Sequence, residues 1–179
     1  MKTSFVRDQI LTTASELFYR QGYNSTGINQ IIDEAGIAKA SLYQHFKSKE
    51  DLLSEYLKLA AKNTNDGLKK AIESQVDPKK KVGAVFDFLA EFSKKTGCGG
   101  CNFLNVISEV PAENTRITGQ IKKQKNVIRE MFGTIMRPIG KSGLADEMYL
   151  LFDAALISSR VQNDTWPILK AKKMALALI

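Results

Sequence analysis

The sequence predicts an all-α chain in two parts, a small three-helix head over residues 1–48 and a larger helical body over residues 49–179. Three observations predict it. Apolar residues recur at intervals of three and four, the spacing that gathers side chains onto one helical face. Helix starts and stops follow one another along the chain, among them Gly22, Gly36, Ser48, Asp77 before Pro78, and Pro111. No alternation of strands and helices appears, and 179 residues suffice for a head fused to a body around one or two cores.

In order, residues 4–21 form a helix with Ile10, Ala14, Leu17 and Phe18 on one side, ended by Gly22. Thr26 stands where its hydroxyl caps the next helix, either as a cap alone or also as a phosphate contact at the helix N-terminus. That helix carries Ile28, Ile31, Ile32 and Ala35 inward, and Gly36 turns the chain in the left-handed conformation glycine adopts most easily. After Ile37, a short helix from about Ala38 to His45 sends Leu42 and Phe46 inward. Its outer surface is then Ala38, Lys39, Ala40, Tyr43, Gln44 and His45. Between Gly36 and Lys49 there is no acidic residue, while Lys39, Lys47 and Lys49 are cationic, so a polyanion is able to approach. Two helices joined by a short Gly-containing turn are the helix-turn-helix layout, whose second helix enters the major groove of DNA. Lys39 is the residue best placed to reach guanine O6/N7 or the backbone.

The run Gly22-Tyr23, Thr26, Ile28, Ile31, Ala35-Gly36-Ile37, Lys39, Leu42-Tyr43, His45-Phe46-Lys47, Lys49-Glu50 and Leu52-Leu53 resembles the N-terminal domain of TetR-type (TetR/AcrR) transcriptional regulators. The close match covers roughly the first third of the chain; the remainder is similar only in helical layout. Ala38 departs from the family's frequent Ser cap and Ala40 from its frequent Gly, and an Ala at an N-cap typically costs about 1 kcal/mol. The resemblance implies a double-stranded DNA operator, phosphate contacts from Tyr43 and His45, and a homodimer through the last two helices. It further implies a body that encloses a small-molecule effector, whose binding releases a repressor from a palindromic operator.

The body continues the pattern. Ser48 and Asp51 have capping-box spacing at the start of a fourth helix, which buries Leu52, Leu53, Tyr56, Leu57 and Ala60 and runs to about Ser74. Lys49 falls in its first turn, where the helix dipole disfavours a cation unless an anion such as a DNA phosphate lies near. Asp77-Pro78 opens a fifth helix, ended near Thr96 by Gly97-Cys98-Gly99-Gly100. A short sixth helix stops at Pro111, and a seventh runs from about Glu113 to Met136, with Lys122, Lys123 and Lys125 read as a solvated face. The last two helices, about 144–161 and 167–179, carry more apolar surface than two terminal helices of a small body need, and Ala154, Ala155, Ser158 and Ser159 permit close approach of a second copy. The expected walls of an effector pocket are Phe86, Leu89, Phe103, Met131, Phe132, Phe152 and Trp166, with Asn102, Asn105 and Gln124 as polar anchors.

Composition narrows the rest. The formal net charge is +7, yet residues 1–50 carry six cations against five acids, so most of the excess lies outside the head and DNA binding rests on where Lys39, Lys47 and Lys49 sit. No apolar run approaches the roughly 18 residues of a membrane span, and Arg7 and Asp8 interrupt any apolar signal core, which places the protein in the cytoplasm. Cys98 and Cys101 are the only cysteines. A CxxC invites a thiol-based redox sensor as the alternative function, but no second ligand pair accompanies it and the only histidine, His45, lies in the reading helix. We expect no metal, no cofactor and no catalytic residue.

Overall fold

A computed structural model describes residues 2–179, with side chains from Phe5 onward. The described residues form nine α-helices and no strand: α1 (Lys2–Gln21), α2 (Ile28–Ala35), α3 (Lys39–His45), α4 (Lys49–Glu73), α5 (Pro78–Lys95), α6 (Asn102–Ile107), α7 (Thr115–Met136), α8 (Ala145–Gln162) and α9 (Trp166–Leu178). Two short 3-10 turns, Arg137–Ile139 and Ser142–Leu144, join α7 to α8.

Local chemistry explains most boundaries. Ser48 Oγ accepts the Asp51 backbone N–H at 3.0 Å and starts α4. Asp77 does the same for Lys80 at 2.8 Å, with Pro78 in the first turn of α5. Asn114 caps α7 through Ile117, a start two residues later than the sequence reading. Gly36 adopts φ 63°, ψ 39° and closes α2.

One contiguous core runs through head and body. In the head, Phe18 meets Tyr23 and Tyr56 edge-on, with ring centroids 5.4 and 5.7 Å apart. Head and body are therefore stitched where α1 crosses α4, and Arg7 adds an ion pair to Glu55 at 2.5 Å. In the body, α7 lies beside α4 through two polar ties: Ser54 with Gln120, and a reciprocal amide pair between Asn65 and Gln124 at 3.2 and 2.7 Å. Ser159, read from sequence as a small residue at a partner surface, is buried and shares a 3.0 Å hydrogen bond with Ser93; Ala155 is buried as well.

Candidate functional site

The α2–turn–α3 unit stands on α1. Ile31, Ile32, Ala35 and Leu42 are buried against it, which leaves the opposite side of α3 in solvent. Ala38, Lys39, Ala40, Tyr43 and Gln44 are exposed, His45 is half-buried, and Lys47 is exposed just beyond the helix. Ala38 occupies the N-cap without any side-chain bond, as its chemistry requires.

Two residues differ from expectation. Thr26 is fully buried and its hydroxyl donates to the Gly22 carbonyl at 2.6 Å; the N-cap of α2 is Gly27, which lacks a side chain to cap with. Thr26 thus ties the α1–α2 loop back onto the end of α1 and presents no hydroxyl to a phosphate. Lys49 is not simply solvated: its ammonium lies 4.3 Å from the centroid of the Tyr23 ring. Loss of solvent lowers its pKa from the ordinary lysine value, with the Glu109 carboxylate pulling the other way. The ring supplies the negative face that the helix dipole withholds.

A second site lies inside the body, a cleft of about 450 Å³ among α4, α5, α6, α7 and α8. The space in it open to a water-sized guest is small, about 30 Å³, room for a water or two. Leu89, Phe103 and Phe152 line it as expected, as do Asn102 and Gln124. The other expected walls do not. Phe86 and Phe132 are fully buried core, their rings 6.4 Å apart, and Met131 packs half-buried against the core outside the cleft. Trp166 is about half exposed, at the start of α9. Asn105 faces the loop instead, donating to the Gly99 carbonyl at 2.9 Å and accepting from Arg160.

Sequence reasoning missed Phe88, Phe92, Cys101, Lys125, Ile128 and Leu156 as lining residues. Lys125 is the instructive one. It was assigned to a solvated face, yet its ammonium is buried, 2.6 Å from Asp153 Oδ1 and 3.3 Å from Cys101 Sγ. The signal was present: Lys125 falls on the same stripe as Ile121, Ile128 and Phe132, at the i+4, i+7 and i+11 spacing that points inward. Tyr149 faces Asp153 too, and burial together with that hydrogen bond pushes its phenol up to about 12.

Short polar links connect the segments that flank α6 with the head. The Tyr19 hydroxyl on α1 is bonded to Thr96 Oγ1 at 2.9 Å and donates to the Gly100 carbonyl at 3.2 Å. Just past α6, Glu109 accepts the Asn24 backbone N–H at 2.7 Å, and its carbonyl accepts the Asn24 side chain at 2.9 Å. Cys98 and Cys101 are both free thiols, and they open onto different cavities. Among the described residues no group of three or more His, Cys, Asp or Glu is placed to hold a metal ion, and no helix is long and apolar enough to cross a membrane.

Residues 10–56 match the family profile described as bacterial regulatory proteins, tetR family. The HTH-type transcriptional activator FasR of Mycolicibacterium smegmatis is 37% identical over 92 residues, 49% of this chain and 42% of that protein. The HTH-type transcriptional regulator LmrA of Bacillus subtilis is 39% identical over 93 residues, 51% of this chain and 48% of the other. The matched part of the chain therefore spans under half the length of these curated relatives. The fold is shared along nearly the whole length with a solved TetR-family transcriptional regulator of Streptomyces coelicolor, at a TM-score of 0.89 and 24% identity, covering 97% of this chain and 95% of that one.

Proposed function

We propose, from the premise that this is a TetR-type chain with the family's DNA-binding head on the family's fold, that it acts in the cytoplasm as a homodimeric transcriptional repressor of a palindromic operator, released by a small-molecule effector. The head is residues 1–48 and the effector-binding and dimerisation body residues 49–179. One observation carries the reading: α3 turns an acid-free surface of Ala38, Lys39, Ala40, Tyr43 and Gln44 to solvent while Leu42 anchors its back. Lys39 reads base edges; Tyr43, Gln44, His45 and Lys47 hold phosphates and fix the register. Thr26 serves behind this surface as a brace.

The dimer is supported by α8. Leu150, Ala154, Ile157, Ser158 and Val161 recur at helical spacing and are all exposed, a stripe the chain's own core leaves bare. On α9, Trp166, Leu169, Met174 and Leu178 are also exposed. Paired with a second copy as a four-helix interface, these faces are covered, and twofold symmetry sets two α3 helices about 34 Å apart, one DNA turn, or further for spread half-sites.

Release follows from how tightly the cleft is closed. An effector larger than a water or two has to part its aromatic walls, one of which, Phe103, belongs to the six-residue α6. Displacement of α6 moves Glu109, and with it the hold on Asn24 at the head. The effector shifts the equilibrium only by its difference in affinity between the two geometries.

Selection of bound sites from random duplexes tests the reading; a palindrome is the expected result, and failure to enrich any sequence would end it. Binding to the selected duplex should weaken steeply between two salt concentrations, as phosphate contacts require. Sedimentation should give a dimer at micromolar concentration, and Ile157→Asp should yield monomers that bind the palindrome poorly.

A further inference from the structure

Among the buried polar groups around the body cleft, nearly all are spoken for. Gln124 is closed in its pair with Asn65, and Lys125 is matched by Asp153 and Cys101. The exception is Asn102 Oδ1, which is buried and has no hydrogen-bond partner in the protein; among the described residues no other buried side-chain nitrogen or oxygen lacks one. Such an acceptor persists at a cost unless something donates to it. Its position is as telling. Asn102 lines the body cleft, a neighbouring cavity between α4 and α5, and a third beneath α1, so it stands where the three meet.

The remaining surface defines what fits. Phe88, Phe92, Phe103 and Phe152 present rings, which favour a flat aromatic body by edge and face contact. Lys125 and Asp153 already neutralise one another across 2.6 Å, with Tyr149 beside the carboxylate, so an anionic guest would add an unmatched negative charge to an apolar enclosure.

We propose that the cleft takes a small, neutral, mainly aromatic molecule bearing one hydrogen-bond donor, and that Asn102 Oδ1 is the group that selects the donor. This rests on the cleft being the effector site. Donor and acceptor meet in a water-poor setting, where a guest of the same shape without the donor leaves Asn102 unpaired and is rejected.

The test uses three probes that share one 4-ethylphenyl frame: 4-ethylphenol, 4-ethylanisole and 4-ethylbenzoate, titrated calorimetrically into the full chain. The phenol should bind about tenfold tighter than the ether, and the benzoate weakest. Asn102→Leu should bring the phenol down to the ether's affinity while leaving far-UV circular dichroism unchanged. Equal binding of phenol and ether, tightest binding of the benzoate, or binding of none of the three would overturn the proposal. If Asn102→Leu does not fold, the ranking on the unaltered chain decides alone. A gel shift on the selected palindrome separates the two readings: a phenol that binds with the expected preference yet leaves DNA affinity untouched upholds the chemical class and removes the cleft from control of the head.

Discussion

Asn24 and Glu109 hold each other twice, the Asn24 backbone N–H on the Glu109 carboxylate at 2.7 Å and the Asn24 amide on the Glu109 carbonyl at 2.9 Å. The contact fastens the loop before α2 to the segment after α6. A Cβ on Gly22, whose φ of 94° already favours glycine, would lie 2.8 Å from Glu109 Oε1 and push that carboxylate aside.

Glu109→Ala removes the carboxylate half of this latch. The chain should still bind its selected duplex, but the DNA affinity should respond less to any guest of the cleft. Gel shifts with and without the phenol probe measure the response; an unchanged response would place the coupling elsewhere.

Lysines of the head should separate by role. Lys39→Ala is expected to relax sequence choice, costing about 1–3 kcal/mol at the base it reads. Lys47→Ala should weaken binding to all duplexes alike and reduce the salt slope by about one. Lys49→Ala should mainly lower the thermal midpoint, since its cation lies over Tyr23 and such a contact is worth about 0.5–1 kcal/mol at a partly exposed site. Equal losses on specific and random DNA for Lys39→Ala would take it out of the base-reading set.

Acid should loosen the joint between α1 and α4. Glu55 is held below its ordinary value of 4.5 first by its hydrogen bond to Lys58 and then, against some desolvation, by Arg7. A folded pKa below the unfolded one means stability that is fully present above pH 4.5 and lost as pH falls through the folded value. Thermal midpoints measured from pH 6 downward should therefore fall below about pH 4.5, and Glu55→Gln should show a shallower fall.

Lys125 and Asp153 should be costly to separate and cheap to replace together. Their side chains are only 10% and 15% exposed, so Asp153→Leu alone strands a buried ammonium and should destabilise by about 3–5 kcal/mol. Lys125→Met combined with Asp153→Leu should recover most of that loss. Urea denaturation measures both, and a double variant as unstable as the single would mean the pair holds more than its own charges.

The helices were legible because their ends are written in chemistry that acts locally. Ser48, Asp77 and Gly36 do in the structure what their side chains or lack of one predict. Thr26 was misread because a hydroxyl has two directions, outward to a helix N-terminus or back to the Gly22 carbonyl, and only packing chooses. The cleft was half legible for a similar reason. Phe86 and Phe103 obey the same apolar spacing, and nothing local tells a residue that fills the core from one that borders a gap. Lys125 escaped notice through its chemical type, although its place in the α7 stripe already pointed inward.

Gly99 sits directly against the Tyr19 ring, too close for any Cβ. Gly100 bonds the hydroxyl of that same tyrosine and carries φ 83°, a conformation that other residues seldom adopt. The two-glycine spacer between the sulfurs thus fits a docked phenol ring, a steric reason for this spelling that calls on no thiol chemistry. Any substitution that enlarged the spacer would be felt first at the first helix of the chain, long before it altered a thiol's chemistry.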